Sequence, residues 1–198
     1  MYKKLMILTV IAVVMGLLAV PVIAKGPSGP AGKSNVGHLY LYEKTPDPDF
    51  AREDPWLIVE GGMWGKMKYN LSGPTFDFVF NGHGLPIGQE YTLIYYPDPW
   101  PADGLICLGS GIVVEDESED GVGNIHIKES VDTGDLPKEN DDNYLAGGAK
   151  IFLVPSGDVD CDSQIMMGWT GDDANLYEGV LITFDDTDDD PESSPPAQ

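Results

Sequence analysis

Beyond its first 24 residues the chain carries no apolar stripe at the 3.6-residue spacing of a helix, and nothing else in the sequence constrains its fold as much. What recurs instead is period two. Within Trp64–Leu71, the residues Met67, Tyr69 and Leu71 fall on one face and Lys66, Lys68 and Asn70 on the other. Within Thr75–Phe80, Phe76, Phe78 and Phe80 share a face, and in Asn124–Val131, Ile125 and Ile127 alternate with His126 and Lys128. Val36–Glu43 alternates as well, Tyr91–Tyr96 is aromatic and β-branched, Leu105–Val114 is largely apolar, and Lys150–Val154, Gln164–Trp169 and Val180–Phe184 complete about nine short runs. Side chains that point alternately to the two sides of a pleated strand produce this pattern. Turn residues separate the runs: Ser72-Gly73-Pro74, Asn81-Gly82-His83-Gly84, Asp103-Gly104, Asp120-Gly121-Val122-Gly123-Asn124 and Gly147-Gly148. Short strands without crossover helices pair antiparallel. The spacing therefore predicts an all-β, antiparallel β-sandwich over residues 36–184, with a closed barrel as the alternative.

The two ends read differently from this middle. Lys3 and Lys4 precede an apolar run from Leu5 to Ala24 that closes on Val22-Ile23-Ala24, the layout of an export signal cut after Ala24. The alternative is an uncleaved anchor, since the run is nearly long enough to span a bilayer. Residues 25–35 are Gly/Pro/Ser-rich and read as a linker, and residues 185–198 as an acidic, Pro/Ser-rich tail that buries nothing. Cleavage would leave nine basic against 33 acidic residues, a formal charge of −24. That balance repels phosphate backbones and anionic headgroups, so nucleic acid is excluded as a partner and a membrane is reached only through an uncleaved signal. Cys107 and Cys161 are the only cysteines. In an exported chain two thiols commonly close a disulfide, with two buried free thiols as the other reading.

The stretches WGKMKYNLSGPTFDFVFNGHGL and YTLIYYPDPWP, with the Gly84-Leu85-Pro86 turn ahead of Tyr91-Thr92-Leu93, resemble secreted Ig-like β-sandwich domains of prokaryotes. They are also similar to an uncharacterised secreted family of methanogenic archaea, over roughly residues 37–184. The resemblance implies an Ig-like sandwich and an extracellular address, and no reaction.

Chemistry-bearing motifs are sparse. His38, His83 and His126 sit far apart and in no catalytic pattern, and Ser110 lacks the strand-to-helix context of a nucleophile. Asp158, Asp160 and Asp162 alternate as hard-oxygen calcium ligands do, but Ser163 and Trp169 stand where an EF-hand needs Gly and Glu. Glu115, Asp116, Glu117, Glu119 and Asp120 form a second acidic run. Tyr95, Tyr96, Asp98 and Trp100, stiffened by three prolines, could offer flat rings and an acceptor to a sugar or peptide, and Asp54-Pro55-Trp56 is a shorter echo. Asn70-Leu71-Ser72 is an N-glycosylation acceptor pattern. These features point to a non-enzymatic secreted or cell-surface protein acting in adhesion, envelope structure or ligand binding, without a cofactor. Its expected partners are a cell-envelope component, a glycan or a protein. A carbohydrate- or calcium-binding module and an extracellular hydrolase are the alternatives.

Overall fold

The computed structural model describes residues 34–46, 56–116, 121–171 and 174–188. The signal segment, the cleavage point after Ala24, Asp54-Pro55, Glu117, Glu119, Asp120 and the tail beyond residue 188 lie outside the described residues. Nine strands form one sheet: β1 (Val36–Tyr42), β2 (Trp64–Asn70), β3 (Phe76–Leu85), β4 (Glu90–Tyr96), β5 (Ile106–Ile112), β6 (Val114–Glu115), β7 (Gly123–Val131), β8 (Lys150–Pro155) and β9 (Leu176–Glu178). Their spatial order is β5-β4-β8-β9-β1-β2-β3-β7-β6, and neighbouring strands pair antiparallel throughout. The all-β, antiparallel, sandwich-like class that the alternation predicts is the class observed.

The two margins of the sheet are one stretch of chain. β5 pairs with β4, and β6, one residue later, pairs with β7. The run from Ile106 to Glu115 bends at the buried Val113 and changes partner, as strands do at the corners of packed sheets. The sheet thereby curls almost into a barrel. Before the bend, β5 lies against β7 without pairing: a Cβ on Gly109 would stand 2.9 Å from Ile127 Cγ2 and from Glu129 Cγ. Glycine is what permits that approach of one layer to the other.

Inside the curl, Leu39, Leu41, Met67, Phe76, Phe80, Tyr91, Leu93, Tyr95, Ile151, Leu153 and Leu176 are fully or almost fully buried. β4 and β8 bury their other faces too, where Ile94, Tyr96, Phe152 and Val154 join Tyr177, Val159 and Met166 in a second core. The cover over that face contains Val159–Asp160 paired with Ile165–Met166. Cys107–Cys161 bonds this cover to β5, with 5.7 Å between the Cα atoms. Strands covered on both sides read as unbroken apolar runs, which explains why Tyr91–Tyr96 shows no alternation.

Four sequence expectations need correction. Asn81-Gly82-His83-Gly84 is no turn but the continuation of β3, where a Cβ on Gly82 would lie 2.8 Å from Ile125 Cγ2. The glycine marks crowding, not reversal. The run at residues 164–169 contributes only Ile165–Met166, in the cover. Residues 180–184 make isolated bridges at Ile182 and Phe184, and the strand that enters the sheet is Leu176–Glu178. Pairing also reaches into the acidic tail: Asp185–Asp186 runs parallel to Ser72–Gly73, and the buried Asp186 donates its N–H to Asp135 at 2.7 Å.

Candidate ligand-binding face

The aromatic loop does not assemble the site its sequence suggests. Tyr95 is fully buried; its hydroxyl donates to Asp141 at 2.7 Å and accepts the Lys138 N–H at 3.0 Å. Burial holds its phenol well above the usual range. Tyr96 stacks on Phe152 with 4.9 Å between centroids. Asp98 pairs with Lys150 and accepts the Asn143 side-chain amide at 2.6 Å. Trp100 alone of the four faces solvent, 53 % exposed, with its ring edge-on to Trp169 at 6.1 Å. The loop closes one end of the second core and leaves one ring at the surface.

The aspartates also part company. Asp158 is buried, and its two carboxylate oxygens accept the backbone N–H and hydroxyl of Thr170 at 2.7 and 2.8 Å. Asp160 caps the next turn by accepting the N–H groups of Asp162 and Ser163, each at 3.0 Å, which holds its carboxyl below the usual range. No group of three or more metal-type side chains converges among the described residues. Ser110 shares a hydrogen bond with Thr92 at 2.9 Å. Asn70, at the end of β2, donates its amide to the carbonyls of Ser72 and Thr75 at 3.2 and 2.9 Å. A glycan on that nitrogen would replace one of its two hydrogens and break at least one of these bonds.

What the fold does assemble is the outer face of β1, β2, β3 and β7. Register places side chains in rows across the strands: Tyr42, Trp64, His83 and Asn124; then Tyr40, Lys66, Asn81 and His126; then His38, Lys68, Val79 and Lys128. Leu39, Leu41, Met67, Phe80, Ile125 and Ile127 take the opposite face and are buried, so the outer row is fixed by the core. The described residues include six lysines and no arginine, and three of those lysines stand here with all three histidines of the chain. Among the described residues none of Lys66, Lys68 and Lys128 forms an ion pair, although the chain carries 33 carboxylates. Lys66 Nζ lies 5.4 Å from the centre of the Tyr40 ring, which stacks on Tyr42 at 6.3 Å. Tyr40 and Trp64 are 39 % and 40 % exposed.

Each end of the face is concave. At one end Lys68, Asn70, Asp77, Val79, Lys128 and Ser130 border a shallow groove of about 500 Å³, where Asp77 accepts the Thr75 hydroxyl at 2.9 Å. At the other, Trp64, His83, Asn124, Asp116 and three glycines enclose about 270 Å³. Alternation alone puts Lys66 with Lys68 and His126 with Lys128. Only the pairing of β3 with both β2 and β7 brings them onto one surface, and no sequence signal marks that pairing.

Sequence gives no hint of Glu178 either. It stands opposite Leu41 on the inner face of the sheet, and its Oε2 is buried without a hydrogen-bond partner. Burial pushes its carboxyl up to about 7, against the opposing pull of Lys44 and Lys150. Among the described residues no helix is long and apolar enough to cross a membrane. The chain matches no protein-family model, no curated protein and no solved structure.

Proposed function

We propose that this is an extracytoplasmic, non-enzymatic binding domain that holds an acidic glycan along the outer face of β1, β2, β3 and β7. The observation that carries the reading is the set of three lysines on one sheet face of a strongly acidic chain that form no ion pair among the described residues. Like charges gathered on a face resist packing unless an anion completes them. Tyr40 and Trp64 interleave with the lysines, and exposed rings on a sheet face suit the apolar faces of sugar rings. A carboxylated or sulfated glycan supplies both partners at once. The disulfide and the export-type layout of residues 1–24 support the extracytoplasmic setting.

The expected strength is modest. Exposed ion pairs contribute about 0–1 kcal/mol each and an aromatic contact about 0.5–1.5 kcal/mol. Three of the first and two of the second total a few kcal/mol, near the roughly 4 kcal/mol of a millimolar complex. A chain of repeating sugars would gain by engaging many copies of the domain.

Affinity electrophoresis of the domain through polygalacturonate, a sulfated glycan and a neutral glucan tests the proposal. The acidic glycans should retard the native domain, and Lys66→Gln/Lys68→Gln/Lys128→Gln should migrate freely while keeping its melting temperature. Retardation that survives the triple substitution would defeat the proposal. Equal retardation by polyglutamate or DNA would show that charge alone is read, and would remove the saccharide from it.

A further inference from the structure

We infer that the small pocket at the Trp64 end of this face receives one hydroxyl-bearing sugar ring and that the Nε2 atom of His83 accepts a hydroxyl from it. This rests on the glycan reading above and adds the residue that would select among glycans.

The hydrogen bonds that link Asp116, Asn124 and His83 have only one consistent direction. The Asp116 carboxylate can only accept, so the atom of Asn124 that meets it at 2.6 Å is the amide nitrogen. That turns the Asn124 carbonyl oxygen toward His83, where it lies 2.8 Å from Nδ1. A carbonyl oxygen can only accept, so Nδ1 carries the proton. In the neutral ring the proton on Nδ1 leaves Nε2 as a bare acceptor. Nε2 makes no hydrogen bond to the protein among the described residues.

Trp64 holds the ring from the side, stacked at 4.6 Å and 28°. The imidazole is therefore fixed in position by stacking and in tautomer by Asn124. Gly61, Gly62 and Gly84 line the same pocket, and a Cβ built on Gly61 would meet nothing within 4 Å. The pocket's volume of about 270 Å³ lies just under the roughly 300–1,000 Å³ of sites for drug-sized molecules, which suits one ring and not a chain. An indole beside a fixed acceptor fits a pyranose, whose C–H face is apolar and whose hydroxyl edge donates. The absence of an ammonium among the pocket's lining residues separates it from the lysine rows, where acidic substituents would lie.

Two measurements on the domain test this. Long-range proton–nitrogen spectra of the imidazoles at pH 8 should show His83 as the Nδ1–H tautomer, and Asn124→Ala should move it toward the Nε2–H form. Titration with methyl glucoside and with glucuronate, followed by amide chemical shifts, should perturb residues around Trp64 and His83. His83→Phe keeps a ring against Trp64 but removes the acceptor, and should weaken both sugars about tenfold. It should leave retardation by polygalacturonate nearly unchanged. An Nε2–H tautomer in the native protein, or native affinity in His83→Phe, would overturn the inference while leaving the lysine face untouched. Sugar binding that depends on His83 without any retardation by acidic glycans would uphold the pocket and defeat the face.

Discussion

Glu178→Gln should stabilise the domain at neutral and alkaline pH and leave it unchanged in acid. The native carboxyl has an ordinary value near 4.5 in the unfolded chain and is pushed up to about 7 in the fold, first by burial. A carboxyl raised in this way favours its protonated form when folded. Its contribution is therefore fully present below about pH 4.5 and is lost as pH rises through about 7. At 1.36 kcal/mol for each pH unit of separation, the full loss is about 3 kcal/mol. Glutamine fills nearly the same volume beside Leu41 and does not titrate. Urea unfolding of both proteins from pH 4 to pH 8.5 should give curves that coincide in acid and part by about 3 kcal/mol above pH 7. Glu90→Gln, at an exposed site on the margin of β4, removes the same charge and serves as the control. Its curve should stay close to native. A constant offset between the Glu178→Gln and native curves across the whole range would refute the reasoning, because it would mean that Glu178 ionises normally in the fold.

Removing the bridge with Cys107→Ala/Cys161→Ala opens a loop of 54 residues and should cost about 4 kcal/mol, read as a fall in unfolding free energy, with a red shift in tryptophan emission if the cover over Trp169 loosens. An unchanged unfolding curve would show that the cover stays seated without it. Tyr95→Phe leaves Asp141 and the Lys138 N–H short of a partner inside the fold and should cost about 1–3 kcal/mol in the same assay; a loss below a few tenths would contradict the buried network. Gly109→Ala should cost a similar ~1–3 kcal/mol by forcing β5 away from β7, with faster hydrogen exchange in β5 as its signature. Exchange unchanged along that seam would mean that the layers can part without strain.

Most of the fold was legible because its strands are simple to read where one side faces water. β2 and β7 alternate cleanly, and Met67 and Ile127 take the core sides that their spacing predicts. Legibility failed where tertiary packing outweighs local chemistry. Asn81-Gly82-His83-Gly84 has the composition of a turn, yet strands on both sides pair Asn81, Gly82 and His83 within β3. Leu176–Glu178 is too short for a periodic signal, and its place between β1 and β8 follows from packing alone. The candidate site shows the same division. Tyr95 and Asp98 looked like ligand contacts because aromatic and acidic residues beside prolines suggest an exposed loop. A buried hydroxyl network and an ion pair with Lys150 occupy them instead. Trp64, His83, Asn124 and Asp116 are spread over 61 positions of sequence and meet only through register.

The two margins of the described domain are fastened to the same hairpin. The Asn35 side chain donates to the Ser72 carbonyl at 2.8 Å and accepts the Ser72 N–H at 3.1 Å, while Asp185–Asp186 pairs alongside Ser72–Gly73. Trp64 begins the strand that ends beside that hairpin, six residues or about 20 Å away. Asn35 and Asp185–Asp186 are therefore held together at one end of β2, and the pocket beside Trp64 lies at the other.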